Sequence, residues 1–163
     1  MSNFKIITGY IPGIIGRVTQ LHADYYSKQW NFSQYFEAKV ASELSNFIRN
    51  LNEKDDCVWS LVKNGNIEGS IIIDGSSENE NTAHLRWFIV SDGLKGCGAG
   101  NILMEKALSF CTLQEFNSVY LWTFQGLESA RHLYEKYGFN LIKESKGNQW
   151  GTSVIEQKFE ASI

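Results

Sequence analysis

Residues 90–101, VSDGLKGCGAGN, connect a strand-like run to a helix-like run through three glycines at alternate positions, Gly96, Gly98 and Gly100. Glycine lets the backbone approach a ligand closely and adopt left-handed conformations, and the helix that follows offers free N–H groups at its positive dipole end. The stretch is therefore a candidate phosphate-binding loop. Residues 95–100, KGCGAG, match neither a Walker loop nor a G-x-G-x-x-G dinucleotide fingerprint. The context along the chain has to decide what the loop binds.

The order of elements around this loop predicts a mixed sheet. Apolar periodicity and turn residues predict strands over residues 4–8, 57–63, 67–74, 83–90, 118–124, 139–144 and 153–159, and helices over residues 14–25, 36–51, 102–113 and 127–137. Ser33 is placed to cap the second helix, and Gly138 to follow the last turn of the fourth. The strands at 57–63, 67–74 and 83–90 form a predicted antiparallel meander, with a turn at Asn64-Gly65 and a polar connection at 75–81.

A helix joins the strand at 83–90 to the strand at 118–124, so these two strands must run parallel. If they are neighbours that splay apart at their ends, they leave a slot that a thin ligand can enter. The loop at 90–101 would lie at the mouth of that slot.

The composition is that of an ordinary soluble globular protein. Apolar residues make up 43% and charged residues 20% of the 163 residues, and we expect a single domain over residues 1–163. The formal net charge is −3 and no run of Lys or Arg occurs, which argues against a nucleic-acid partner. No apolar run approaches the roughly 20 residues of a membrane helix, so we expect no membrane partner.

The three cysteines, Cys57, Cys97 and Cys111, are an odd number without C-x-x-C spacing. The start of the chain also lacks the charged-then-apolar pattern of a leader. We therefore expect a reducing, cytoplasmic location, no structural disulfide and no metal site.

Two further stretches supply the context for the glycine loop. Residues 129–139 read SARHLYEKYGF and residues 149–151 read QWG. With the loop and the order of elements, the 129–139 block resembles the GNAT superfamily of acetyl-CoA-dependent N-acyltransferases, over nearly the whole chain. More narrowly, residues 85–107, 120–123 and 149–151 are similar to the acyltransferase half of bacterial MarR-regulator/acetyltransferase fusions.

This resemblance implies an α/β fold with a mixed, mostly antiparallel central sheet of about six to seven strands and about four helices, splayed between the fourth and fifth strands. It implies acetyl-CoA as the donor substrate and no metal. The glycine loop would bind the pyrophosphate, with Lys95 where the family usually has Arg or Gln, and the strand backbone would pair with the pantetheine amides. The implied coenzyme A site comprises Phe88, Ile89, Val90, Lys95, Gly96, Cys97, Gly98, Ala99, Gly100, Asn101, Ser129 and Leu133.

For the reaction, the resemblance implies that a neutral amine attacks the thioester directly while an acid protonates the departing thiolate. Tyr134 matches the tyrosine of the family's Leu-Tyr-Glu block and is the expected general acid, because a positioned phenol can deliver a proton at neutral pH. The alternative is that its ring only packs the fourth helix on the sheet.

The general base is open at the level of sequence. No carboxylate occurs in residues 83–90, where many relatives place a glutamate. His84 lies near that position, and an imidazole titrates in the useful range. His22, on the apolar stripe of the first helix, is a second candidate, and a water relay without a dedicated base is a third. Each histidine also has a purely structural reading.

The expected acceptor pocket near the splay is formed by His22, Tyr26, Trp30, Arg86 and Trp122. A polyamine-like or amino-acid-like amine fits the acidic chain, and a protein lysine or N-terminus fits the resemblance to the fusions. A homodimer is compatible with these expectations, since dimers are common in the resembled family. Two rival functions are a non-catalytic acyl-CoA sensor, which keeps the cleft and lacks a base, and a nucleotide-binding Rossmann-type module, which predicts an all-parallel sheet.

Overall fold

Seven strands and four α-helices make up the computed structural model, which describes residues 3–76 and 81–163. The strands are β1 Lys5–Thr8, β2 Cys57–Lys63, β3 Asn66–Asp74, β4 Thr82–Val90, β5 Ser118–Phe124, β6 Asn140–Gly147 and β7 Val154–Ser162. The helices are α1 Ile14–Trp30, α2 Gln34–Arg49, α3 Ala99–Leu113 and α4 Glu128–Lys136, with a 3-10 helix Asp92–Leu94 ahead of α3.

All seven strands belong to one sheet, in the order β1-β2-β3-β4-β5-β7-β6. Every neighbouring pair is antiparallel except β4 and β5. These two run parallel because α3 crosses over the sheet between them. The predicted fold, including the parallel fourth and fifth strands, is confirmed, and the all-parallel Rossmann alternative is excluded.

Two apolar cores lie on opposite faces of the sheet. On one face, α3 and α4 bury Leu103, Met104 and Tyr134 against the strands, together with Phe139. On the other face, α1 and α2 cover a second cluster whose members are Ile14, Val18, Phe36, Val40, Leu44, Phe47, Val58, Ile72, Trp87 and Phe124. Buried side chains on both faces hold the central strands in place, and β4 and β5 lie between the two cores.

Several element bounds differ from the prediction. The first helix continues to Trp30, and α3 begins at Ala99, because the glycine loop turns directly into the helix. Ser33 occupies the N-cap position of α2, but its side chain makes no capping hydrogen bond. Gly138 follows α4 with φ 88, as predicted for a helix end. Residues 77–80 of the predicted 75–81 connection lie outside the described residues.

Asn64 and Gly65 form the turn between β2 and β3, with φ values of 52 and 78. Two successive positive φ angles are typical of the two-residue turns that connect antiparallel strands, which is why Asn-Gly was a reliable hairpin signal. Among the described residues, no helix is both long and apolar enough to cross a membrane. All three cysteines are free.

Candidate active site

β4 and β5 are paired over only three residue pairs, from Thr82–Ser118 to His84–Tyr120. Beyond these pairs, β4 continues to Val90 and β5 to Phe124 without pairing to each other. A cavity of about 330 Å³ opens at this divergence. Side chains from both strands, from α1, α2 and α4, and from the β6–β7 connection line it.

A β-bulge in β4 accompanies the divergence. On β3, two steps separate Ser70 from Ile72, whereas three steps separate their β4 partners Ile89 and Arg86. The extra residue falls at Trp87, whose φ of 45 is unusual for a bulky side chain. The Ser70 hydroxyl donates a 2.6 Å hydrogen bond to the Trp87 carbonyl, so the displaced backbone keeps a partner. Bulges bend the strand that carries them, and this bend favours the opening of the gap.

The glycine loop lies at the end of β4. Gly96 and Gly98 have φ values of 79 and 83, and α3 begins at the next residue, Ala99. A Cβ on Gly100 would meet Leu133 Cδ2 at 3.5 Å and Phe88 Cζ at 3.6 Å. The first turn of α3, the end of β4 and α4 therefore converge at the loop.

Lys95 and Cys97 are exposed loop residues with local side-chain contacts, whereas Leu94 and Ala99 are buried. Lys95 forms a 2.8 Å ion pair with Asp92, and its Nζ lies 4.4 Å from the centre of the Tyr25 ring. The Cys97 thiol donates to the Leu94 carbonyl. Ser129 is exposed near the start of α4. An anion at the loop would therefore be bound mainly by backbone N–H groups at the start of α3, with the Lys95 ammonium nearby.

Ile89 and Val90 pair with Ser70 and Gly69 of β3 through one edge of β4. The opposite edge faces the gap, since no β5 residue pairs with it beyond His84. An extended ligand with amide groups can bind such an edge as an added strand.

Tyr134 lies in the wall of the cavity and is 8% exposed. Its ring packs against Phe139 and Phe159, with centroids 6.0 and 6.1 Å away, and lies 6.4 Å from Phe88. Burial raises the pKa of the phenol well above its ordinary value, so the hydroxyl stays protonated at neutral pH. Tyr134 therefore packs α4 on the sheet and also forms part of the cavity wall, with its phenol protonated.

His22 also lines the cavity and is 6% exposed. Its Nδ1 lies 2.8 Å from the Val18 carbonyl, and a carbonyl requires the proton to be on Nδ1. Nε2 then carries the lone pair, and it makes no hydrogen bond within the described residues. Burial lowers the pKa of His22 to about 4, although the Val18 hydrogen bond acts to raise it. The imidazole is neutral at pH 7.

His84 lies at the last β4–β5 pair, where its ring stacks on Tyr120 at 4.3 Å between centroids. Burial lowers its pKa to about 3, and the positive charge of Arg86 and, to a lesser extent, of Lys158 adds to this effect against the opposing charge of Asp74. Two nearby cations therefore disfavour protonation of His84, whereas no nearby cation contributes to the lowered pKa of His22.

Only some of the aromatic residues predicted for the acceptor pocket line the cavity. Tyr26 and Trp122 line it, and Tyr26 packs on Phe32 and Phe124 at 5.5 and 5.9 Å. Trp30 instead packs edge-on against Phe124 at 5.0 Å and is not among the lining residues. The structure thus brings together four of the five predicted acceptor residues, His22, Tyr26, Arg86 and Trp122.

A charged group occupies the wall between α2 and β4. Arg86 contacts Asp74 and Glu43, each at 3.3 Å, and Lys39 contacts Glu43 at 3.1 Å. Burial acts to raise the pKa of Asp74, but hydrogen bonds from Ser76 and the charge of Arg86 hold it below its usual value. Among the described residues, no group of three His, Cys, Asp or Glu side chains is arranged to hold a metal ion.

The family model described as the acetyltransferase (GNAT) family matches residues 15–139. The chain belongs to the GNAT acetyltransferase family. The matched range runs from the second residue of α1 to the residue before β6, and so includes the glycine loop, both splayed strands and Tyr134.

Curated relatives of this GNAT chain include N-acetylaspartate synthetases. The chain is 27% identical over 123 residues to that of Danio rerio and 27% identical over 140 residues to that of Homo sapiens. The alignments cover 75% and 85% of this chain but 43% and 44% of the relatives. The chain therefore spans less than half the length of these relatives.

Solved structures agree on the fold. A GNAT acetyltransferase from Staphylococcus aureus matches with a TM-score of 0.79 at 20% identity, covering 98% of each chain. A ribosomal-protein-alanine N-acetyltransferase from Brucella melitensis matches with a TM-score of 0.77 at 13% identity, covering 98% of this chain and 99% of that one. At these identities the likeness shows the GNAT fold alone.

Sequence reasoning missed several side chains in the cavity wall. Lys39 and Glu43 come from α2, and Gln149 and Trp150 from the β6–β7 connection. The i, i+4 spacing of Lys39 and Glu43 is a weak signal of a helical ion pair, but it does not indicate a pocket. The QWG stretch supported the family resemblance without indicating that it reaches the site.

Proposed function

We propose that this GNAT chain transfers the acetyl group of acetyl-CoA to a primary amine. The observation that carries the proposal is the gap between β4 and β5, which has Tyr134 in its wall and the glycine loop at its end. The edge of β4 that has no partner strand suits a ligand arm with amide groups. The N-terminus of α3 beside it suits a pyrophosphate.

The donor would bind along β4. The pyrophosphate would accept hydrogen bonds from N–H groups of the α3 start, and the pantetheine amides would pair with the backbone of residues 88–90. Gly100 supports this placement, because a Cβ there would reach van der Waals contact with Phe88 and Leu133 and occupy the space between them. Ser129 and Lys95 are both exposed.

In the proposed reaction, the amine nitrogen attacks the thioester carbonyl, the C–N bond forms and the C–S bond breaks. Tyr134, which lines the cavity and is protonated at neutral pH, gives its phenolic proton to the departing sulfur. A histidine accepts the proton lost by the nitrogen. His22 is better suited than His84, because its Nε2 lone pair is free and because Arg86 and Lys158 oppose a second positive charge on His84.

Several acceptors merit testing. The name N-acetylaspartate synthetase, carried by the relatives, denotes formation of an N-acetylated amino acid, which supports free amino acids. The narrower resemblance to MarR-regulator fusions supports a protein lysine or N-terminus. A cytoplasmic location fits the three free cysteines.

The test is release of free thiol from acetyl-CoA in the presence of an amine panel, alongside a thermal-shift measurement with coenzyme A. We expect coenzyme A to raise the melting temperature and at least one primary amine to accelerate thiol release. Binding of coenzyme A without turnover on any amine would establish the sensor function instead. The absence of any coenzyme A binding would contradict both functions.

A further inference from the structure

Cations collect around the acceptor side of the cavity, although the chain as a whole has a net charge of −3. Lys39 and Arg86 line the cavity, and Glu43 is its one acidic lining residue within the described chain. Asp74, the second carboxylate on Arg86, is 8% exposed and does not line this cavity. With Asp74 included, the four charges of this wall balance, and Lys39 and Arg86 are the two cations of the wall that line the cavity.

Two further lysines flank the opposite wall. The Nζ atoms of Lys143 and Lys158 each lie 6.0 Å from the Trp122 ring centre, and Lys158 lies 4.6 Å from that of Tyr120. Neither lysine forms an ion pair within residues 3–76 and 81–163. The carboxylates on the same two strands keep their negative charge but bond to other groups: Glu144 accepts from Gln157 at 2.7 Å, Glu156 from Gln149, and Glu160 from Ser118 at 3.4 Å.

Arg86 is the best placed of these cations to bind a ligand. Its guanidinium is held by single contacts to Asp74 and Glu43 and lies 4.0 Å from the centre of the Trp87 ring. An arginine has five N–H donors, and these two contacts use one donor on each terminal nitrogen. The remaining donors are fixed in a planar fork that suits a carboxylate.

On the basis of the proposed function, we propose that the acceptor is a small primary amine that also carries a carboxylate, and that Arg86 binds this carboxylate in the cavity. The lysines on both sides add attraction at longer range. A polyamine fits poorly, because the one acidic lining residue, Glu43, is already shared between Lys39 and Arg86. The same reasoning favours the amino-acid-like acceptor over the polyamine-like one.

The primary test compares acceptors that differ only in their carboxylate. Thiol release from acetyl-CoA is measured with glycine, β-alanine and aspartate, with the carboxamide of each, and with putrescine as a cationic acceptor. We expect kcat/KM to be at least about tenfold higher for each acid than for its amide at matched concentrations of neutral amine. Putrescine should be the poorest acceptor.

Arg86→Gln tests the assigned residue, and the readout is the ratio of kcat/KM for the acid to that for its amide. We expect this ratio to fall about tenfold, mainly through a higher KM for the acid, while Arg86→Lys retains part of the preference. The matched control is Arg49→Gln, on the exposed surface of α2, which should leave the ratio unchanged. If Arg86→Gln does not fold, the wild-type acid and amide ratios and Arg86→Lys still decide the question.

The outcomes separate this inference from the proposed function. Turnover on amides or putrescine that equals turnover on the acids overturns the carboxylate-bearing acceptor and leaves the acetyltransferase intact. A wild-type preference for acids that survives in Arg86→Gln overturns the role of Arg86. Coenzyme A binding without turnover on any acceptor overturns the proposed function, and the inference with it.

Discussion

Tyr134 is the residue for which the sequence offered two interpretations, helix packing and general acid catalysis. Its ring packs between α4 and the sheet, and the same burial keeps its phenol protonated while it lines the cavity. The two interpretations are not exclusive, because the ring makes the packing contacts and the proposed reaction uses only the hydroxyl.

Replacing Tyr134 with Phe separates these roles. Tyr134→Phe keeps the ring contacts, so we expect the melting temperature to change little, while kcat falls about 100-fold through loss of the general acid. Steady-state thiol release and thermal unfolding provide the two readouts. Tyr10→Phe, at a position 53% exposed, serves as the control. A Tyr134→Phe variant with wild-type kcat would reduce Tyr134 to packing.

The two cavity histidines make a distinct prediction for the pH dependence of activity. With pKa values lowered to about 4 for His22 and about 3 for His84, both imidazoles are already neutral well below pH 6. The rise of kcat/KM with pH should therefore follow deprotonation of the acceptor amine. Profiles for two acceptors whose amine pKa values differ by about one unit should be displaced by about that amount. A fixed inflection near pH 6.5 with both acceptors would show a histidine that titrates normally.

At the residue scale, the match of Tyr134 to a family motif indicated the proposed acid. No pattern in the sequence indicated the ion-pair partners of Arg86. Asp74 precedes Arg86 by 12 residues and Glu43 by 43, on β3 and α2. Tertiary packing alone brings these three charges together. The free Nε2 of His22 was equally hidden, because its tautomer depends on the backbone carbonyl of Val18.

The strand β4 illustrates what a pattern of residues cannot show. The sequence predicted a strand over residues 83–90, within one residue of the observed bounds, and its side chains are alternately buried and half-buried. The bulge at Trp87 has no comparable signal, since neither glycine nor proline marks it and a tryptophan with positive φ is rare. Its cause lies in the pairing with β3, where Ser70 holds the Trp87 carbonyl.

The glycine loop is the element whose backbone conformation the sequence predicted best. A pair of alanine variants tests whether that conformation is needed for coenzyme A binding. Gly98 has φ 83 in open space, so a methyl group there meets no neighbour but strains the backbone. We expect Gly98→Ala to cost about 1–2 kcal/mol in the free energy of unfolding and to weaken coenzyme A binding. Denaturant unfolding and titration calorimetry measure the two effects.

Gly93→Ala is the matched control for this loop variant. Gly93 also lies in open space, within the 3-10 helix, and its φ is outside the left-handed region. We expect near wild-type stability and affinity. Equal losses in Gly93→Ala and Gly98→Ala would mean that the backbone conformation of Gly98 is not what the site requires.

For the whole molecule, the order of elements along the chain was enough to predict the strand order in one half of the sheet but not in the other half. The β1 to β4 arrangement follows sequential pairing, and the crossover helix fixes β5 beside β4 in parallel. The final order β5-β7-β6 is different, because β7 inserts between two strands that precede it. Two consecutive antiparallel strands can dock by either edge, and local patterning does not choose between them.

Burial of His22 also predicts how stability responds to pH. The folded pKa of about 4 lies below the unfolded value near 6.5, so between these values the unfolded chain binds a proton that the folded chain does not. Stability therefore falls as the pH falls, by on the order of 2 kcal/mol between pH 7.5 and 5 from His22 alone. The lowered pKa of His84 changes stability in the same direction. Burial raises the pKa of Asp56, which changes stability in the opposite direction.

Chemical denaturation across this pH range measures the effect. His22→Gln should flatten the slope of unfolding free energy against pH, whatever its effect on absolute stability. His132→Gln, at an exposed position on α4, should retain the wild-type slope. An unchanged slope in His22→Gln would assign the pH dependence to other groups.

The short pairing of β4 with β5 bears on how the protein behaves in concentrated solution. From Leu85 onward, β4 presents toward β5 an open strand edge in the interior of the sheet, reachable through the gap. Exposed edges of this kind are templates on which foreign strands assemble, and natural proteins usually blunt or cover them. A donor arm bound along β4 would act as such a cover. Occupancy of the donor site and resistance to self-association would then be two aspects of the same strand.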